Sequence, residues 1–179
     1  MNKTILSSQQ ILWDFKPKLL KVNNEDLKNH ILKHNNSDYN ELFDPQKKYI
    51  ELEYNQQLQW LRDWFSEDVN LNNDMFIIHL KTEALIIEPN EGIDLHNDID
   101  NWNLPTQPDI TGYYLVSQGK QKSNCIIEYN NNRFKDKKWN IPFEDDKIIM
   151  FNSTLNRKIT VNKNNEKMIV LVFKYQFLN

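Results

Sequence analysis

The second half of the chain carries the pattern that most limits its fold. The segments "MFIIHLKTEALIIEP", "DITGYYLVS", "SNCIIEYN", "DKIIMFNS", "KITVN" and "EKMIVLVFKYQF" follow one another from residue 75 onward, cut apart by Asn, Asp, Pro and Gly. Short runs rich in β-branched and aromatic residues, evenly spaced between turn residues, read as antiparallel strands. Their number and spacing predict a sandwich or small barrel. The 179 residues fit one domain, and 39% hydrophobic content is enough to fill a core at that size.

The first half reads differently. In "NEDLKNHILKH" (24–34) Asn24 is a capping residue, and Leu27, Ile31 and Leu32 share a helical face. His30 and His34 stand four apart on it, a spacing that can hold zinc, but no further ligand cluster lies near and a solvated polar face explains them. A second helix is predicted over 45–66, opened by Pro45, with Tyr54, Leu58, Leu61 and Phe65 at helical spacing. Residues 1–71 are therefore read as an N-terminal helical part of the same domain, and 72–179 as its β part. Trp13, Trp60 and Trp64 are expected between helices and sheet. Phe76, Ile78, Ile86, Leu115, Ile149, Phe151, Val170 and Val172 are expected to be buried.

Composition narrows the function classes. A net charge of −3 gives no whole-protein field that favours nucleic acid. Cys125 is the single cysteine, so an internal disulfide is excluded and a reducing compartment fits; a small buried apolar role is expected for it. The start "MNKTILSSQQ" has no apolar signal-peptide core, and no apolar run reaches membrane length, so the expected location is cytoplasmic or virion-associated. The Asn, Lys and Ile bias suggests an AT-rich genome, such as that of a phage or a marine bacterium. "NNNRFKDKKWN" (130–140) reads as a basic solvated loop ending in Trp139, a packing anchor.

One stretch points to chemistry. In "IDLHNDIDNW" (93–102), His96 and Asp98 lie two apart, so on an extended chain both side chains reach the same face. A strand can present two metal ligands this way. No His follows residue 96. His79, Glu88 and Glu128 are the remaining candidates for a third ligand, and core or strand-end roles explain each of them as well.

The ordered series "PNEGIDLHND", "TGYYLV", "FEDDKIIMFNSTLNRKI" and "NNEKMIVLVF" resembles the double-stranded β-helix of iron(II)/2-oxoglutarate-dependent oxygenases, over roughly residues 70–177. It is most similar to small phage and marine forms and to aspartyl/asparaginyl-hydroxylase-like domains. The resemblance implies a mainly β (α+β) jelly roll, cupin-like, with the N-terminal helices packed outside. It implies iron ligation by His96 and Asp98, co-substrate contacts from Tyr113 or Tyr114, and a carboxylate-binding cation at Lys167. At the place of the distal His the chain has Arg157. A guanidinium stays protonated and cannot ligate, so the triad is incomplete. Arg157 is instead expected to pair with Asp98 beside His96 in the barrel mouth.

This departure implies a degenerate, non-catalytic binding or structural module with no cofactor. Its partner would be another protein or a second copy of the chain, for example in a phage particle. The alternative is an active hydroxylase that uses iron(II), 2-oxoglutarate and an atypical third ligand.

Overall fold

A computed structural model describes residues 2–7, 10–16, 22–35, 49–52, 55–73, 76–98, 107–131 and 134–177. The elements run β1 (Asn2–Ser7), β2 (Gln10–Phe15), α1 (Asn24–Asn35), β3 (Tyr49–Glu51), α2 (Gln56–Asn73), β4 (Ile77–Ile87) and β5 (Ile93–His96). They continue with β6 (Ile110–Ser117), β7 (Asn124–Asn131), β8 (Phe134–Pro142), β9 (Ile148–Asn152), β10 (Asn156–Ile159) and β11 (Met168–Phe177).

The strands form a seven-stranded sheet in the order β1-β2-β9-β6-β11-β4-β3 and a four-stranded sheet in the order β5-β10-β7-β8. The pairings among the described residues are antiparallel. This is the expected jelly roll.

Strand alternation splits the core in two. On β11, Ile169, Leu171 and Phe173 face the helices, where they meet Leu27, Ile31, Leu58, Leu61 and Phe65. Met168, Val170 and Val172 face the other way, into the space between the sheets, with Leu85, Tyr113, Ile127, Ile149 and Phe151. At ~25 cal/mol per Å² of buried apolar surface, both layers contribute to stability on the same footing. Gly112 is needed on the helix side, because a Cβ there would come within 2.6 Å of the Phe65 ring.

The N-terminal part differs from the sequence reading. It supplies three strands as well as helices, because β1, β2 and β3 all join the large sheet. The second helix begins at Gln56 rather than 45. Asn55 caps it, its Oδ1 accepting from the amides of Gln57 at 2.9 Å and Leu58 at 3.4 Å. Tyr49–Glu51 is extended because it pairs with Glu83–Leu85 of β4. Pro45 and Tyr54 lie outside the described residues.

For α1 the cap is Asn23, whose Oδ1 accepts from the Asp26 amide, and not Asn24. Acidic residues in its first turn and basic ones in its last suit the helix dipole.

Six of the eight expected core residues are buried: Ile86, Leu115, Ile149, Phe151, Val170 and Val172. Phe76 and Ile78 are not, at 67% and 41% exposed. A bulge explains this. Lys174 pairs with Lys81 but Tyr175 with His79, so β4 carries one extra residue there, and the faces exchange before it. Ile77 then points to the helix side, and Phe76 and Ile78 point out beyond the barrel.

Trp64 packs half-buried against the helix-side core, whereas Trp60 is 39% exposed on the outer side of α2, contrary to its expected place. The Trp13 side chain lies outside what the structure describes. Trp139 packs against the inter-sheet core as expected, but from a strand, β8, where a loop was predicted. Cys125 is fully buried, and burial pushes its thiol up to about 12. Among the described residues no helix is long and apolar enough to cross a membrane.

Candidate functional site

The mouth between the sheets is built from both of them. His96 ends β5 and stands opposite Arg157 of β10 in register. Asp98 follows, held in place by its amide, which donates to the Ser153 carbonyl at 3.1 Å. From the large sheet come Glu83 of β4, Thr111 and Tyr113 of β6, Lys174 of β11 and Tyr49 of β3. The sequence brought His96, Asp98 and Arg157 to attention, and the fold brings these three together.

Among the described residues, Arg157 is the largest side chain with no exposure. Its Nη2 lies 2.7 Å from Asp98 Oδ2. The guanidinium carbon sits over the Phe151 and Tyr113 rings, 5.2 and 5.7 Å from their centroids. Neither Nη1 nor Nη2 makes an aligned hydrogen bond, so the contact with Asp98 is an ion pair at close range rather than a two-pronged fork. Asp98 is also approached by Lys174 Nζ at 3.3 Å and accepts a short hydrogen bond from the Thr111 hydroxyl. Burial alone would raise the Asp98 carboxyl; Arg157 and then Lys174 outweigh it and hold it below the usual carboxylate range.

The charges alternate outward from there. Lys174 also pairs with Glu83 at 2.9 Å, and Glu83 with Lys81 at 2.8 Å near solvent.

Two further sets of hydrogen bonds line the mouth, and the proton directions of each are fixed by an end group that can only donate or only accept. Arg157 can only donate, and its Nε–H reaches the Tyr113 oxygen at 2.6 Å. Tyr49 is close enough to Tyr113 for each phenol to influence the other. The Tyr49 O–H lies 3.1 Å from His96 Nε2, and His96 Nδ1 lies 2.8 Å from the Asp94 carbonyl, which can only accept. His96 therefore carries its proton on Nδ1, and Nε2 accepts from Tyr49. Burial, then the Arg157 charge, keeps this imidazole neutral by lowering its pKa. Burial pushes the Tyr49 phenol up to about 12.

The other expected site residues lie elsewhere. Tyr114 faces the helices and donates to Asn24 Oδ1 at 2.9 Å, because adjacent residues of a strand point to opposite faces. Lys167 is 44% exposed and pairs with Glu88 at 2.8 Å. It precedes Lys174 by seven residues, about 23 Å along an antiparallel strand. Met168, Val170 and Val172 fill the space between the sheets over that length.

His79 is on the helix side against the Tyr175 ring, 2.8 Å from the Thr82 hydroxyl. Burial and the nearby Arg62 lower its pKa to about 4. Glu128 lies on β7, paired with Lys138 and Lys158. His30 and His34 are edge-to-face neighbours on α1.

Lys174 was missed, although a signal was present: it is the lone charge within "MIVLVFKYQF". A lysine inside an otherwise apolar central strand needs a partner. Glu83 in β4 carries the same signal.

No protein-family model matches the chain, and no curated protein does. Solved structures do. A prolyl-4-hydroxylase from Pseudomonas putida aligns with a TM-score of 0.67 at 8% identity, covering 94% of this chain and 93% of that one. A viral collagen prolyl hydroxylase from Paramecium Bursaria Chlorella virus-1, solved as its 2OG complex, aligns at 0.65 with 11% identity, covering 92% and 94%. SnoK, a non-heme alpha-ketoglutarate-dependent carbocyclase from nogalamycin biosynthesis, aligns at 0.67 with 7% identity, covering 93% and 79%. The chain has the fold of the 2-oxoglutarate/iron(II) oxygenases. Identity this low shows the fold and leaves the activity to the site.

The residues present do not fit the metal that such a fold implies. Among the described residues no group of three His, Cys, Asp or Glu is placed to hold an ion. Of the two ligand-type side chains, His96 has Nε2 committed to Tyr49, and Asp98 is committed to two cations and a hydroxyl. A fixed guanidinium beside them repels a divalent cation. Nor do the residues fit 2-oxoglutarate: Tyr113 is committed to Arg157, and Lys167 lies outside the barrel.

Proposed function

We propose that this chain is an oxygenase-like domain in which Arg157 has taken the structural place of the metal, leaving a non-catalytic binding or structural module. The buried contact of Arg157 with Asp98, beside a His96 already held by Tyr49, carries this reading. The guanidinium neutralises the carboxylate and braces Tyr113, so the mouth is held together without an ion. The module would act through its surface on a protein partner or a second copy of itself. An assembly such as a phage particle, in the cytoplasm or in the virion, is the setting that its composition favours.

The test is metal analysis of the protein purified without chelator, followed by 2-oxoglutarate turnover with ferrous iron and ascorbate. We expect substoichiometric iron, no succinate, and a melting temperature indifferent to iron or EDTA. Stoichiometric iron with succinate release would replace this reading by an active hydroxylase with an atypical third ligand.

A further inference from the structure

The outer face of the small sheet carries a groove that the mouth does not use. Arg157 and Ile159 of β10 point between the sheets, so Lys158 between them points out, beside its register partner Ile126 of β7. Around this pair runs an open groove of about 940 Å³, lined by Lys122 and Lys163 among others. Ile126, Ile93 and Val161 contribute an apolar floor, and Val161 is 47% exposed.

Three features make this more than a solvated surface. The first is that its walls are locked. Asn164 of the β10–β11 connection and Gln121 of the β6–β7 connection exchange two hydrogen bonds, of 2.8 and 2.7 Å. Gly119 permits that approach, since a Cβ there would lie 2.5 Å from the Asn164 side chain. Buried Asn162 ties the same connection to the carbonyls of Ile87 and Glu166, at 3.2 and 2.7 Å. Its backbone pairs with Asn90 and Glu91. Three loops are thus stitched into one rigid frame, which lowers the ordering cost of binding.

The second feature is charge. Neither Lys122 nor Lys163 has a carboxylate within ion-pair distance among the described residues, in a protein of net charge −3. Lys158 is shared with Glu128 at 3.5 Å, so Lys122 and Lys163 are the lysines the groove offers, with Glu91 and Asp94 also in its lining. The third is its size, which lies within the range of small-molecule sites, roughly 300–1,000 Å³.

We infer that this groove binds a small organic phosphate: an anionic head between Lys122 and Lys163, with an apolar or planar body on Ile126 and Val161. This inference is independent of the reading of the mouth, and it stands whether or not iron binds there.

Titration calorimetry of the full chain with 4-nitrophenyl phosphate tests it, with 4-nitrophenol and inorganic phosphate as separate probes. The ester is expected to bind about tenfold more tightly than either half, because both subsites contribute. Lys122→Gln with Lys163→Gln should weaken the ester about tenfold, and Lys120→Gln, outside the groove, should leave it unchanged. All of these lysines are surface groups, so the melting temperature should hold and serves as the folding control. Ester binding that ignores the double substitution would overturn the inference, as would no binding at millimolar concentration. If a short single-stranded oligonucleotide binds with affinity that rises with its length, the groove tracks a phosphate chain and the small-ligand assignment fails.

Discussion

Two cation–carboxylate pairs of nearly equal length sit at opposite ends of β11. Arg157 and Asp98 approach to 2.7 Å with side chains 0% and 6% exposed; Lys167 and Glu88 approach to 2.8 Å with both 44% exposed. By distance alone they are equivalent. Burial separates them. The exposed pair gains little over its hydrated partners. The buried pair holds two charges that have no water to return to, so each depends on the other. This contrast identifies the mouth as the place where the chain has committed a constraint, and the Lys167 end as ordinary surface.

The largest expected effect comes from breaking the buried pair. Asp98→Asn leaves Arg157 without a compensating charge and should cost about 3–5 kcal/mol in urea unfolding. A loss under about 1 kcal/mol would mean that the rings and Tyr113 suffice to hold the guanidinium, and the two ends of β11 would no longer differ in kind.

The next concerns the groups that occupy His96 and Asp98. Arg157→His alone restores a triad of residue types, but Tyr49 still occupies His96 Nε2 and Lys174 still holds Asp98. Arg157→His should raise ferrous affinity, and adding Tyr49→Phe and Lys174→Met should raise it about tenfold or more further, because His96 Nε2 and the Asp98 carboxylate are then freed from competing partners. Equal affinity in the single and triple variants, measured by competition with a fluorescent chelator, would remove Tyr49 and Lys174 from this account.

Acid should read out the mouth in two windows. The His96 pKa in the folded chain is below its ordinary 6.5, so the unfolded chain takes up that proton first. Its contribution is complete above pH 6.5 and declines as pH falls below it. His79, near 4 when folded, acts in the same window. Asp98 lies below its ordinary 3.8, so its contribution is present above that value and is lost as pH falls through the folded value. Urea midpoints measured from pH 7.5 downward should therefore slope twice. Asp98→Asn should flatten the lower slope, and His96→Gln should flatten part of the upper one. An unchanged lower slope in Asp98→Asn would contradict the depressed carboxyl.

The smallest effect belongs to the other end of the strand. Lys167→Gln should change stability by less than about 1 kcal/mol, and less still in high salt. A loss comparable to that of Asp98→Asn would show that the exposed pair does more than its geometry allows.

The strand pattern, the inward set Leu115, Ile149, Phe151, Val170 and Val172, and the proximity of His96, Asp98 and Arg157 could all be read from the sequence. The strand pattern, the inward set and the shared face of His96 and Asp98 follow from local rules, period-two alternation and turn residues; the place of Arg157 beside them was implied by the resemblance to the oxygenase family. Four things were decided only by the tertiary structure. Tyr49–Glu51 became a strand because β4 offered an edge, where a helix opened at Pro45 had been expected. A bulge at Leu80 turned Phe76 and Ile78 outward, which no pattern within β4 records. Lys174, and not Lys167, reached Asp98, because position on a shared strand fixes which charges meet. Tyr49 reached His96 across a separation of 47 residues. The physical reason is common to all four. Local sequence sets which way a side chain points, but pairing between distant strands sets what it points at.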